Sequence, residues 1–200
     1  MIITLVVIIL CIANYVRLVQ KQKSETYDIA LVECGALQKP SYNIQKEFYR
    51  FLTAGFVHFS IAHLLINMYC LWSMGSSMEM MLGPVRYCIL LFGSIITGNI
   101  FAYLMGDEYS ISGGMSSGIY GLLAVEVTLI FATYGIEGIT GSPSLLTALL
   151  LNLGMNFMPG VGWKSHLGGA CFGVLFVSYL FYFLVFLYLE ILFLCVPGMA

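Results

Sequence analysis

Apolar residues fall in six runs, about 1–19, 49–74, 86–106, 115–134, 143–158 and 164–189, separated by stretches that carry most of the charges. Roughly 20 apolar residues cross the hydrocarbon core of a bilayer as a helix, and five of the runs reach that length. The fifth in order, 143–158, is shorter and predicts a helix that does not fully span, or that sits where the bilayer is thinned. Its start is marked by Ser142-Pro143, a capping residue followed by proline in the first turn. Backbone polar groups inside a membrane must be satisfied within each helix. The pattern therefore predicts an all-α polytopic membrane protein, a single domain over residues 1–200 built as a six-helix bundle, with no internal repeat.

Composition agrees with that pattern. The chain is 60% hydrophobic and 9% charged, with a mean hydropathy of +0.94, more apolar than a soluble domain can bury. A net charge of −2 with eight basic residues leaves no dense Lys/Arg stripe, so nucleic acid is not an expected partner. The expected surroundings are the lipid bilayer. The first run, MIITLVVIILCIANYV, has no basic segment before it and no convincing cleavage site, so it reads as a first span and not as a signal peptide.

Cys11, Cys34, Cys70, Cys88, Cys171 and Cys195 form no CxxC pair, and five of them lie in apolar runs. They read as small hydrophobes, not metal ligands. Neither a metal nor a cofactor is expected. Cys34 alone sits in a polar loop.

Because spans alternate in direction, the second, fourth and sixth begin on one face of the membrane. Their opening segments hold the residues with chemistry. His58, His63 and Asn67 open the second, Ser116 and Ser117 the fourth, and His166 the sixth, so all three histidines of the chain can meet a serine at one depth. A serine hydroxyl becomes a good nucleophile when a base takes its proton, and histidine is best matched to that task. His166 is the candidate base: it stands in KSHLGGACFGV, where Gly168, Gly169 and Gly173 let another helix approach closely. His63 and Asn67, four residues apart, share a helix face and can donate toward a developing oxyanion. Ser and Gly in an apolar helix usually serve packing, whereas histidine inside a membrane is costly and functional by default. Finding both on three helices that start together points to a site.

Four segments together resemble the rhomboid intramembrane serine proteases, bacterial in style, over nearly the whole chain. YRFLTAGFVHFSIAHLLINMYCLW is similar to the family's second helix, EMMLGPVRY to the following turn with Glu79, Gly83 and Arg86, GMSSGIYG to the nucleophile helix, and WKSHLGGACFG to the helix of the base. The resemblance implies a serine endopeptidase that cleaves transmembrane segments of membrane-protein substrates with a Ser–His dyad and no acidic third member. It implies that His63 and Asn67 hold the oxyanion with a backbone N–H, and that His58 supports the loop before the second helix. Glu126 lies ten residues past Ser116, about 15 Å along a helix, too far to complete a triad.

The family usually places glycine directly after the nucleophile, and here a second serine follows. Ser116 has Gly114 two residues before it and Tyr120 four after, where the family often sets an aromatic against the catalytic histidine. Ser117 has Met115 and Gly121 at those places, so Ser116 is the expected nucleophile and Ser117 a replacement for the small residue.

The resemblance also implies a bacterial plasma-membrane protein with a cytoplasmic N-terminus and an active site open to the extracytoplasmic side. Arg17, Lys21, Lys23, Lys39, Lys46 and Arg50 in or beside the loop between spans one and two favour the opposite orientation by the positive-inside rule; the expectation follows the family. Two other classes predict different sequences. A non-catalytic relative would lack the serine or histidine, and a transporter would show paired broken helices in two halves.

Overall fold

The apolar runs fold as helices whose ends are set by identifiable residues. The computed structural model describes residues 1–39, 46–156 and 162–195. Its helices are α1 (Ile2–Lys21), α2 (Tyr27–Glu33), α3 (Arg50–Thr53), α4 (Ile61–Cys70), α5 (Ser76–Met105), α6 (Ser116–Thr140), α7 (Pro143–Met155) and α8 (Trp163–Cys195). Two short strands, β1 (Leu37–Gln38) and β2 (Ile111–Ser112), pair antiparallel with Leu37 opposite Ser112.

The run 49–74 does not form one helix. After α3 a 3₁₀ turn, Ala54–Phe56, ends at extended Val57. The chain re-enters helix at Ile61 because Ser60, itself extended, accepts the His63 backbone N–H on its hydroxyl at 3.1 Å. His58 thus precedes the helix that carries His63 and Asn67, although the apolar pattern set all three on one span. The sixth predicted span lies within α8, a helix that runs on to Cys195, and the last residues of the fifth, Phe157 and Met158, lie outside the described residues.

Between α4 and α5 a single wide turn, Leu71–Gly75, keeps the helix continuous. The break comes at Gly83, with φ +74° and ψ 166°, a conformation in which a side chain would be strained. A Cβ on Gly75 would stand 2.6 Å from the Tyr87 hydroxyl, yet twelve residues of straight helix would separate the two by about 18 Å. The chain therefore doubles back at Gly83-Pro84. Glu79 accepts the Ile3 and Thr4 backbone N–H groups at 3.0 and 2.9 Å, which are donors left free in the first turn of α1.

Four helical stretches among the described residues are long and apolar enough to cross a membrane: Ile2–Lys21, Ile61–Met105, Ser116–Thr140 and Trp163–Phe183; Leu145–Gly154 in α7 is a shorter apolar segment. The protein is an all-α, multi-pass integral membrane protein. Helix α7 starts as predicted, with the Ser142 hydroxyl accepting from the Leu145 N–H and Pro143 in the first turn.

The core lies where α5, α6 and α8 meet, around Leu90, Leu91, Ile95, Ile119, Leu122 and Val177. Backbone meets backbone there. A Cβ on Gly98 would stand 2.6 Å from the Ser165 carbonyl oxygen, one on Gly169 would overlap the Ser117 carbonyl, and one on Gly173 the Gly121 carbonyl.

The segment after α1 folds over the same end of the bundle. Leu18, Leu31, Ala36 and Val57 form a small second core that includes Cys34, so this thiol is only 4% exposed although it lies in the polar loop between the first two apolar runs. Three basic residues here hold carbonyls: Arg17 donates to Glu33 O, Lys39 to Gly106 O, and Arg50 to Val32 O and Ala36 O.

Candidate active site

Ser116 is the first residue of α6, and the two glycines before it shape the approach. The Gly114 N–H donates to Ala54 O at 2.9 Å, and Gly114 takes φ +124°, where a Cβ would stand 2.8 Å from Cε1 of His63. Glycine at this position lets the imidazole come close to the start of α6. His166 is on the first turn of α8, buried at 5% exposure, and its N–H is bonded to Gly162 O at 3.3 Å.

These two helix starts bring His166 Nε2 to 2.8 Å from Ser116 Oγ. The imidazole is held on its other sides as well. Tyr120, one turn along α6 from Ser116, stacks on it at 4.2 Å between centroids and 9° between planes, and Asn156 Oδ1, just after α7, lies 2.5 Å from Nδ1. Asn156 Nδ2 in turn donates to the Tyr120 hydroxyl at 2.7 Å, which itself donates to the Asn152 carbonyl.

His63 flanks the site from α4. Phe59 stacks on it at 5.8 Å, and the fully buried His58 meets it edge-on at 5.0 Å. Asn67 is buried one turn further along α4, with one amide hydrogen on the His63 carbonyl at 3.0 Å; the second amide hydrogen remains for another acceptor. Ser117 lies away from the imidazole. It is 2% exposed and wedged between Gly98 and Gly169.

Ser116, His166, Tyr120, Gly114 and His63 therefore converge, with His58 against the ring of His63 and Asn67 one turn along α4. Asn156 is the participant the sequence reasoning passed over. Its signal was present: Asn152 and Asn156 stand four apart in the apolar LLLNLGMNFM, the same spacing that drew attention to His63 and Asn67, and intramembrane polar residues call for a partner. An apolar cleft of about 720 Å³ opens beside this face of the imidazole, lined by Tyr120, Leu123, Leu149, Leu153 and Val174.

A serine hydroxyl on a buried, doubly held imidazole is an arrangement suited to acyl transfer. A profile described as "Rhomboid domain" matches residues 45–197. The chain belongs to the rhomboid family. This rhomboid is 30% identical over 140 residues to rhomboid protease GluP of Bacillus subtilis, covering 70% of this chain and 27% of that protein. It is 32% identical over 142 residues to RHOMBOID-like protein 7 of Arabidopsis thaliana, covering 70% of this chain and 45% of that one. It is also 28% identical over 142 residues to the inactive RHOMBOID-like protein 8 of the same plant, covering 70% and 40%. The rhomboid chain thus spans less than half the length of these relatives. They come from a bacterium and a plant alike, so the family is established and a bacterial subdivision of it is not.

Proposed function

We propose that this rhomboid is an intramembrane serine endopeptidase that hydrolyses peptide bonds in transmembrane segments of other membrane proteins. The observation that carries the reading is the 2.8 Å hydrogen bond between Ser116 Oγ and His166 Nε2 across two helices. In this reaction Nε2 takes the hydroxyl proton as Oγ attacks the scissile carbonyl. The imidazolium then gives that proton to the leaving amine, and the same imidazole deprotonates the water that releases the acyl group from Ser116.

The tetrahedral oxyanion would be stabilised by His63, by the free amide hydrogen of Asn67 and by the Ser116 backbone N–H, a donor with no partner inside the helix because it is in the first turn. Gly114 gives His63 its place, Tyr120 keeps the imidazole plane, and His58 supports His63 from behind.

The two limbs of the helical stretch that turns at Gly83 each cross the membrane in this reading. With α1, α6, α7 and α8 they make six crossings. The site then opens to the side that carries the loop after α1, the extracytoplasmic side of a plasma membrane.

The test uses purified protein in detergent with a model transmembrane substrate and a fluorophosphonate probe. Cleavage and labelling by the parent, both lost in Ser116→Ala and His166→Ala preparations that keep the parental unfolding temperature, are the expected results. A parent that neither cleaves nor labels would place this chain with its inactive relatives.

A further inference from the structure

We propose that Asn156 is a positioning residue that fixes the tautomer of His166, a third member oriented by the Tyr120 hydroxyl of α6 and the Asn152 carbonyl of α7. The inference rests on the hydrolytic reading above for its kinetic consequence, but its structural basis is independent of it.

The argument starts at an atom whose role is not adjustable. The Asn152 carbonyl oxygen, near the end of α7, has no hydrogen, so its contact with the Tyr120 hydroxyl requires the phenol to donate. The phenol has then spent its only hydrogen and can only accept from Asn156, 2.7 Å away. The group of Asn156 facing Tyr120 must therefore be its NH₂. The same NH₂ lies 3.4 Å from the Asn152 carbonyl, which again is an acceptor and agrees with this orientation.

With the amide so turned, its oxygen faces His166 Nδ1 at 2.5 Å. An amide oxygen only accepts, so Nδ1 carries the hydrogen of the neutral imidazole. Nε2 is left with a lone pair, 2.8 Å from Ser116 Oγ. The hydroxyl hydrogen of Ser116 then points to the one atom able to take it. A backbone carbonyl of α7 thus determines, through three hydrogen bonds, which ring nitrogen of a histidine on α8 is basic. The Asn156 amide does not ionise, so the chain does without the carboxylate that plays this part in a Ser–His–Asp triad.

The experiment reads the tautomer directly and the rate separately. Uniform ¹⁵N-histidine labelling gives only three imidazoles to resolve, His58, His63 and His166, and a His166→Ala sample assigns the third. At a pH where the imidazole is neutral, the parent is expected to show a protonated Nδ1 and an unprotonated Nε2 at His166. Asn156→Leu should average the two tautomers and lower kcat by ~10²-fold with little change in KM, the scale of a misplaced catalytic group. Asn156→Asp, which keeps an acceptor toward Nδ1, should retain the parental tautomer and a kcat within about tenfold of the parent. Tyr120→Phe, which keeps the stacked ring but frees the amide to turn over, should move the ¹⁵N signals toward those of Asn156→Leu. An Nε2-protonated parent overturns the proposal, as does an Asn156→Leu variant with parental kcat and parental ¹⁵N signals. If Asn156→Leu fails to fold, the parent spectrum and the Asp and Phe variants still decide. If no preparation cleaves or labels, the hydrolytic reading fails while the parental tautomer continues to test Asn156.

Discussion

Ser117 and Gly169 pack so closely that a Cβ on the glycine would overlap the Ser117 carbonyl oxygen, while the neighbouring Ser116 reaches His166. Adjacent residues on a helix diverge by about 100°, so only one of the two serines can face the imidazole. Ser116→Ala should abolish fluorophosphonate labelling and cleavage, and Ser117→Gly should keep both. Mass spectrometry of the labelled parent should find the adduct on Ser116; an adduct on Ser117 reverses the assignment.

Gly114→Ala should lower kcat/KM by about 10²-fold, because the added methyl displaces the His63 imidazole and the backbone is strained at φ +124°. Strain of this kind costs roughly 1–3 kcal/mol, so the unfolding temperature should fall as well. Parental turnover in this variant would mean that the place of His63 beside Ser116 is unimportant to the reaction.

His63→Ala and Asn67→Ala should each slow turnover without eliminating it, with about 10²–10³-fold as the upper range for one lost oxyanion donor. Single-turnover rates with a saturating substrate separate this from a binding effect. If the double variant turns over like the parent, the donors lie elsewhere.

Cys34 should react slowly with a membrane-impermeant maleimide in the folded protein and rapidly in denaturing detergent. The thiol is buried, and burial pushes its pKa up from the ordinary value, with Arg17 and Lys21 drawing it down by less. A raised thiol pKa leaves less thiolate at neutral pH, so the labelling rate should climb with pH later than that of an exposed cysteine. Glu25, exposed in the same loop, is the better reporter of orientation. In a cysteine-free parent, Glu25→Cys should label in intact cells; labelling only after permeabilisation would put the loop and the site in the cytoplasm.

Much of this arrangement was legible in residue order, and the parts that were not share a physical cause. Spacing set Tyr120 on the helix face of Ser116, since a helix returns to the same face after four residues, and the resemblance to the family supplied Gly114 and the stacking of Tyr120 on His166. Ser142-Pro143 marked the start of α7 because capping is local. The break before Ile61 was hidden, since Val57, Phe59 and Ile61 keep the segment apolar whether or not it is helical. Cys34 belongs to the polar loop between the first two apolar runs, but its burial depends on α2 folding back onto Leu18 and Val57. Asn156 stands ten residues before His166, and the contacts of α7 and Asn156 with Tyr120 on α6, which residue order does not show, bring the two together.

The glycine contacts among α5, α6 and α8 bear on manufacturing tolerance. The Ser116–His166 bond is 2.8 Å long, and a hydrogen bond weakens once it stretches past about 3.2 Å, so the helices bearing the two residues have only a few tenths of an ångström to spare. One methyl group inserted at Gly169 or Gly173 would demand more than that. The distance from the serine to the imidazole is accordingly gauged by bare backbone, a spacer with no rotamers and no soft atoms, and it stays constant for as long as those two positions carry nothing but hydrogen.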